Sequence, residues 1–360
     1  MMTALFLGGS SQKVGAFMQL QNASSTMQGD GGVPWWTALP FDLRDVRISR
    51  GSRPVGFRFS QFIINVEAEL NGAKISACGE ANTEDLAMTK ALMELVERVS
   101  LAQRPFKRTK TAPRTSNGWA AHETLPQAKN HAVFELVERD AVLAQWYLSS
   151  PFLELSPEDW PVEIVKWAQD ELALSEFPRM RLLLSTEGLG PSLTCLFVND
   201  RGRGVSGHAT KATLSESIEA AIAETCRAAH HALRRSFWED AQKLRNRTPG
   251  IRVQPGAHAV FYAYYGPFPA WMLGDCLSWA DAERMWSLRT DLLRSNELSE
   301  FDFQQTLDEP AVVGFATHPL ALELTWGTTD LQTVLKRIEG RKFSVSIQKR
   351  ILNTQPHIIS

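Results

Sequence analysis

The pentapeptide Glu94-Leu95-Val96-Glu97-Arg98 recurs as Glu135-Leu136-Val137-Glu138-Arg139, each time late in a stretch rich in alanine and aliphatic residues. At about 100° per residue, carboxylates three positions apart share one face of a helix, with the arginine beside them. Two carboxylates about 5 Å apart repel by roughly 3 kcal/mol at an effective dielectric near 20. A divalent cation between them removes that repulsion. Oxygen ligands without clustered histidine or cysteine select magnesium over zinc, and magnesium ordinarily bridges onward to phosphate oxygens. Glu224 is a fifth candidate, because Ala220, Ala221 and Ala228 around it are too short to keep a ligand away. If Glu94, Glu97, Glu135, Glu138 and Glu224 converge, these residue types describe a phosphate-handling site borne on helices.

The same pattern also fits an ordinary solvated face. In the first copy Met88, Leu92, Leu95, Val96 and Val99 gather on one side, and Lys90, Glu94, Glu97 and Arg98 on the other. The second copy is harder to dismiss, since Asp140 falls among Val133, Leu136 and Val137 with Arg139 at that side's edge. Charges seldom enter an apolar face unpaired.

The acidic residues need long helices to carry them, and the periodicity predicts three: about 84–101, 125–148 and 214–238. Thr124-x-x-Gln127 and Thr213-x-x-Glu216 match the capping box that satisfies free amides at a helix start. Ahead of the first helix, QFIINVEAEL and AKISAC flank Asn71-Gly72, a pair suited to a tight hairpin turn. Strands are expected at RMRLLLST (179–186), SLTCLFVND (192–200), AVFYAYY (259–265) and AVVGFAT (311–317), and shorter helices at 281–294 and 330–338. Helices and strands interleave irregularly, which favours an α+β or mixed α/β domain over a βαβ array. Residues 1–40, rich in glycine and without periodicity, read as a poorly structured lead-in; 41–340 form the main domain and 341–360 a C-terminal tail.

Composition removes several classes. At 44% apolar and 22% charged the chain is globular, and a net charge of −2 offers no general field for a nucleic-acid backbone. No run reaches the roughly 18 apolar residues of a membrane span, and the first residues lack the basic start and apolar stretch of a signal peptide. A cytoplasmic protein with no membrane or nucleic-acid partner is expected. Cys78, Cys195, Cys226 and Cys276 lie far apart, so buried thiols are expected in place of disulfides or a zinc cage. The Walker phosphate loop, the H-E-x-x-H zinc motif and the G-x-S-x-G nucleophile elbow are absent. Gly202-x-Gly204-x-x-Gly207 imitates a dinucleotide fingerprint, yet the next helix starts some six residues too late, and no acid-ended strand follows about 20 residues on.

The motifs together resemble the YcaO family. Lys90-Ala91-Leu92-Met93-Glu94-Leu95-Val96-Glu97-Arg98 is similar to its S-x-x-x-E-x-x-E-R element. Ser116-Asn117-Gly118-Trp119-Ala120-Ala121-His122-Glu123-Thr124, followed by Glu135 to Asp140, resembles the S-N-G-L-A-A-G-x-T…E-L-I-E-R-D element. Gly207-His208-Ala209 and the stretch ending at Glu224 match a later helix more loosely. The resemblance implies ATP- and Mg2+-dependent activation of backbone amides in a ribosomally made precursor peptide, most simply cyclodehydration of Cys, Ser or Thr to azolines. It casts Glu94, Glu97, Glu135 and Glu138 as magnesium ligands, and Lys90, Arg98, Asn117, Gln127, Arg139 and Glu224 with them as ATP-site residues. It also implies a YcaO-like fold in which helices carrying that site pack on mostly antiparallel sheets. A separate leader-binding partner protein is expected, and a homodimer is left open as the assembly.

This chain departs from the family pattern at Lys90 (serine), His122 (glycine), Gln127 (often glutamate), Arg227 (glutamine) and Glu80, where a glycine-lysine-glycine turn is common. It also lacks an alternating-proline tail. Thioamide or amidine formation on the same activated amide, and a non-catalytic peptide-binding scaffold, stand as the alternatives. His208, the pair His230-His231, and the ladder Arg44, Arg47, Arg50 and Arg53 carry weaker functional readings beside structural ones.

Overall fold

The computed structural model describes residues 41–52, 62–103, 117–172, 176–232, 237–246, 253, 256–293, 301–308, 311–322, 324, 331–340, 353 and 357–359. The lead-in of 1–40, Arg53, Ser116, the side chains of His230 and His231, and most of 341–360 lie outside this set. Strands β1 (Leu43–Ser52), β2 (Phe62–Leu70) and β3 (Ala73–Ala81) form an antiparallel meander. Asn71 and Gly72 turn β2 into β3 with φ of +53° and +79°, the left-handed pair that the dipeptide favours. Helix α1 (Glu84–Gln103) lays Ala87, Ala91, Leu95 and Val99 against Ile64 and Val66 of this sheet. Burial of that stripe leaves Glu94 and Glu97 on the other side.

Strand β4 (Trp119–His122) leads into α2 (Leu125–Tyr147), the longest helix described. Next come β5 (Phe152–Leu155), α3 (Val162–Leu172), β6 (Arg179–Leu184), β7 (Leu193–Val198), β8 (Gly204–Ala209) and α4 (Leu214–Ala232). The rest of the chain supplies α5 (Trp238–Arg245), α6 (Gly256–Val260), β9 (Leu273–Leu277), α7 (Trp279–Leu292), β10 (Asp302–Leu307), β11 (Val312–Thr317) and α8 (Leu331–Glu339). A second sheet has the order β10-β11-β4, and a third the order β8-β7-β6-β5-β9. All described pairings are antiparallel except β5 with β9. The fold is thus mixed α and β on mostly antiparallel sheets, as expected.

Helix α4 crosses β8 closely because residue 207 is glycine. A Cβ there would lie 2.4 Å from the Thr225 nitrogen and 2.6 Å from the Ala221 oxygen. Gly202 sits in the β7–β8 turn, while Gly204 and Gly207 belong to β8 itself, so the glycine run serves sheet packing. The capping box at Thr213 forms in both directions, at 3.3 Å from the Glu216 amide to Thr213 Oγ1 and 3.1 Å from the Thr213 amide to Glu216 Oε2.

One strand expectation is corrected. AVFYAYY is not a strand: Ala259 and Val260 end α6, and Phe261–Tyr265 continue as a π-helical turn. Short apolar runs carry no decisive period, and here the aromatic rings stack on several sides, Tyr262 on Phe268 at 4.9 Å and Trp238 on Tyr264 at 4.6 Å. The third long helix, expected over 214–238, is described from Leu214 to Ala232; residues 233–236 lie outside the described set, and α5 runs from Trp238 to Arg245. No disulfide joins the cysteines, of which Cys195 and Cys226 are buried, Cys78 is half-buried and Cys276 exposed. No helix of the described residues is long and apolar enough to cross a membrane.

Candidate active site

The repeated pentapeptides do meet. On α1, Glu97 titrates well above the usual carboxylate range, because protein surrounds it and Glu135 and Glu94 add negative charge, against Arg98 and Arg139. On α2, burial pushes Glu135 up to about 8; Arg139 and Lys211 oppose the rise, and Glu138 and Glu224 add to it. Glu138 goes up to about 7 by burial, with Glu224 adding to the rise and Arg139, Lys211 and the Thr210 amide opposing it. Carboxyls from three helices therefore lie within electrostatic reach of one another. Glu138 and Arg139 retain 12% and 18% of their side-chain exposure, so solvent still reaches both.

Strand β8 and the residue that follows it fix two of these carboxylates through the main chain. The Thr210 amide donates to Glu138 Oε2 at 3.2 Å, and the His208 amide donates to Glu224 Oε2 at 3.0 Å. Arg139 is the cation among them. Burial works against its charge, yet Glu138, Glu224, Glu135 and Glu97 together hold its pKa above the ordinary value. Its Nε stands 3.6 Å from Glu138 Oε1, too far for a hydrogen bond, and among the described residues Nε and Nη1 have no hydrogen-bond acceptor. A buried guanidinium with two unused donors is suited to an anionic ligand such as phosphate.

The other expected residues divide. Glu94 pairs with Arg98, whose guanidinium also donates to the Ser76 carbonyl of β3, so this arginine clamps its neighbour to the sheet. Lys90 donates to the Glu80 carbonyl at 3.2 Å, which brings an ammonium to the end of β3. Its pKa is lowered first by burial and then by Arg227 and Lys211. Asn117 is buried just before β4 and donates from Nδ2 to the Leu322 carbonyl at 3.3 Å. Gln127 is exposed in the first turn of α2, where its Oε1 accepts from the Thr124 hydroxyl at 2.6 Å; the Thr124 side chain caps no backbone amide, so the capping box expected here does not form as such.

Lys211 escaped sequence reasoning. It lies in the short link between β8 and the capping box of α4, within the field of Glu135, Glu138, Lys90 and His131. A single lysine in a turn has no period to betray it. His131, one turn before Glu135, was missed too; burial and the positive charge of Lys211 push it down to about 4, and its ring meets His122 edge to face at 4.8 Å.

Asp140 explains its own place on the apolar side. Its Oδ1 accepts the Leu322 amide at 2.7 Å and its Oδ2 the Leu189 amide at 2.8 Å, so it bolts two distant loops to α2 beside the acidic residues.

Among the described residues no three carboxylate, imidazole or thiol groups are placed to cage a metal ion. The carboxylates present suit a cation that takes one or two of them and completes its shell with phosphate oxygens, which is how magnesium is ordinarily held. Raised carboxyl pKa values and the unused donors of Arg139 fit such a pair of ligands.

Residues 101–345 match the family model described as YcaO cyclodehydratase, ATP- and Mg2+-binding. The chain belongs to the YcaO family. No curated protein matches it. Among solved structures, YcaO from Methanopyrus kandleri bound with AMPPCP and Mg2+ is similar at 14% identity and a TM-score of 0.51, covering 79% of this chain and 90% of that one. The E. coli microcin synthetase McbBCD complex with pro-MccB17 bound is similar at 13% identity and a TM-score of 0.51, over 75% of this chain and 86% of that one. A heterocyclase in complex with substrate and cofactor gives 13% identity and a TM-score of 0.50, over 77% of this chain and 50% of that one. At these identities the likeness is one of fold. The YcaO fold here is the one the motifs implied.

Proposed function

We propose that this YcaO protein activates backbone amides of a ribosomally made precursor peptide with ATP and Mg2+, converting Cys, Ser or Thr residues to azolines. The observation that carries the reading is the buried Arg139, with two unused donors, amid Glu97, Glu135, Glu138 and Glu224. Bound ATP supplies the phosphoryl group that lets the amide oxygen depart as phosphate, and Mg2+ spreads the charge that develops. The neighbour from Methanopyrus kandleri, bound with AMPPCP and Mg2+, and the microcin synthetase, bound with pro-MccB17, support the choice of ligands and substrate class.

Each residue of the chain then has work that its surroundings favour. Burial, with repulsion added, makes Glu97, Glu135 and Glu138 hold their protons above the usual carboxylate range, and a bound cation would favour their charged forms. Arg139 offers Nε and Nη1 to phosphate oxygens, a charge-assisted pairing worth more in a recess than in open water. Glu224, held by the His208 amide, sets the far wall. Lys90, near the end of β3, and Lys211, beyond β8, add positive charge for the phosphates; Arg98 holds Glu94, and Asn117 is a nucleotide contact. Overall, side-chain attack on the preceding carbonyl, transfer of the γ-phosphoryl group to the amide oxygen and loss of phosphate remove one water from the peptide. A separate leader-binding protein delivers the peptide, a reading supported by the neighbouring microcin synthetase complex with pro-MccB17 bound.

Mass spectrometry of a co-expressed precursor tests the reading: loss of one water per modified residue is expected. A sulfur-for-oxygen shift would assign thioamide formation instead. A second reading, a peptide-binding scaffold, is favoured by Lys90, whose ammonium is engaged by the Glu80 carbonyl. Absence of Mg2+-dependent ATP binding in the presence of partner and peptide would select it.

A further inference from the structure

Strand β8 is covered on both faces. Gly207 turns one face to α4, so the alternation of a strand turns Ser206 and His208 to the other. There they meet the end of the chain: His357, Ile358 and Ile359 are buried, and both isoleucines belong to a core cluster with Leu196, Val198 and Tyr262. Ser206 Oγ donates to the Ile358 carbonyl, and His208 Nε2 stands 3.3 Å from the same oxygen. His208 Nδ1 lies 2.9 Å from Thr194 Oγ1 on the directly paired residue of β7. One residue before Ile358, the His357 carbonyl lies 2.9 Å from His258 Nδ1, and the two imidazoles stack at 4.1 Å.

A carbonyl only accepts, so the proton on the His208 ring sits on Nε2, and Nδ1 accepts from the Thr194 hydroxyl. Burial, which holds this imidazole down at about 4, keeps it in that neutral form. The ring thus ties β8 to β7 on one side and to residues 357–359 on the other. The amide of the same residue points at Glu224.

We propose that His208 is a positioning residue, which transmits the seating of residues 357–359 to Glu224 and so couples this C-terminal segment to nucleotide binding. The proposal rests on the reading of Glu224 as part of the ATP site. Nothing in the repeated acidic motif points to the end of the chain; only the clasp of Ser206, His208 and His258 does.

Two substitutions separate the bonds of the ring. In His208→Gln the amide nitrogen reaches the place of Nε2 and keeps the bond to Ile358; in His208→Asn it reaches only the place of Nδ1, so that bond is lost. In the full-length chain, hydrogen exchange of the amides of 357–359 is expected to rise about tenfold in His208→Asn and to stay within about threefold of the natural chain in His208→Gln. Mg2+-ATP affinity, measured directly, is expected to weaken about tenfold in Asn and to be restored in Gln, in line with one buried hydrogen bond. Equal behaviour of the two variants overturns the role of His208, as does faster exchange with unchanged affinity. Failure of the natural chain to bind Mg2+-ATP overturns instead the proposed function on which the coupling rests.

Discussion

Glu138 of α2 and Glu224 of α4 are held by amides two positions apart on the chain, those of Thr210, just beyond β8, and of His208 within it. Two acids from different helices are thus pinned near each other by donors that cannot move independently. Such pinning keeps like charges together at a cost in stability, and a cofactor with the opposite charge recovers it. The stability of the free chain therefore reports on its site.

The first prediction concerns pH. Glu135 and Glu138 are pushed up to about 8 and about 7, mainly by burial, and Glu97 rises as well. In the unfolded chain they titrate near 4.3. Between these values the folded state holds more protons than the unfolded one, so stability falls as pH rises through the window. Thermal melting of the free chain between pH 5 and pH 8.5 is expected to show a Tm that drops by several degrees. Mg2+ with ATP should flatten the slope. A Tm flat across this range without ligand would mean that the three carboxyls do not share a site.

Removing one of the repelling charges should have opposite effects on fold and function. Glu135→Gln keeps the size of the side chain and deletes the charge. Its Tm at pH 8 is expected to exceed that of the natural chain by a few degrees, while peptide-dependent phosphate release falls by about 100-fold or more, the scale of a lost transition-state charge contact. Parallel melting curves and phosphate assays check both halves. Unchanged phosphate release would place Glu135 outside the chemistry.

Much of this arrangement is written in the repeat itself. The spacing of Glu94 and Glu97, and of Glu135 and Glu138, puts each pair on one helix face, and Asp140 on the apolar side announces a buried partner before any partner is known. What cannot be read is contact between segments distant in sequence. Lys211 reaches the acids only because β8 and α4 are packed at Gly207, and neither partner of Asp140, Leu189 or Leu322, carries a side-chain signal, since both bond through the backbone. AVFYAYY shows the reverse failure: an apolar and aromatic run fits a strand by composition, and only the rings of Trp238 and Phe268 decide for a helical turn.

Arg139 should matter most when the acids are charged. Its guanidinium is the buried positive charge that Glu97, Glu135, Glu138 and Glu224 share. Arg139→Met leaves them uncompensated, so the loss of Tm is expected to be larger at pH 8 than at pH 5, where the raised carboxyls of Glu97, Glu135 and Glu138 hold their protons. Arg139→Lys keeps the charge but not the donor fork, and Mg2+-ATP affinity is expected to fall by about tenfold at little loss of stability. Calorimetric melting at the two pH values, with direct titration of nucleotide, separates these effects. Equal losses at both pH values in Arg139→Met would assign the arginine to packing alone.

Asp140 should behave as a bolt and not as a ligand. It is fully buried and accepts two loop amides, at 2.7 Å from Leu322 and 2.8 Å from Leu189. The Leu322 carbonyl in turn accepts from Asn117, so one carboxylate steadies the chain just after β11 and the approach to β4 together. Asp140→Ala leaves two buried amides without their acceptor, a loss of about 3 to 5 kcal/mol. The variant is expected to melt far below the natural chain at every pH, with no special dependence on Mg2+ or ATP. Asp140→Asn keeps one acceptor and sets a donor against the other amide, so an intermediate Tm is expected. A variant that melted normally yet lost only nucleotide binding would move Asp140 from the scaffold into the site.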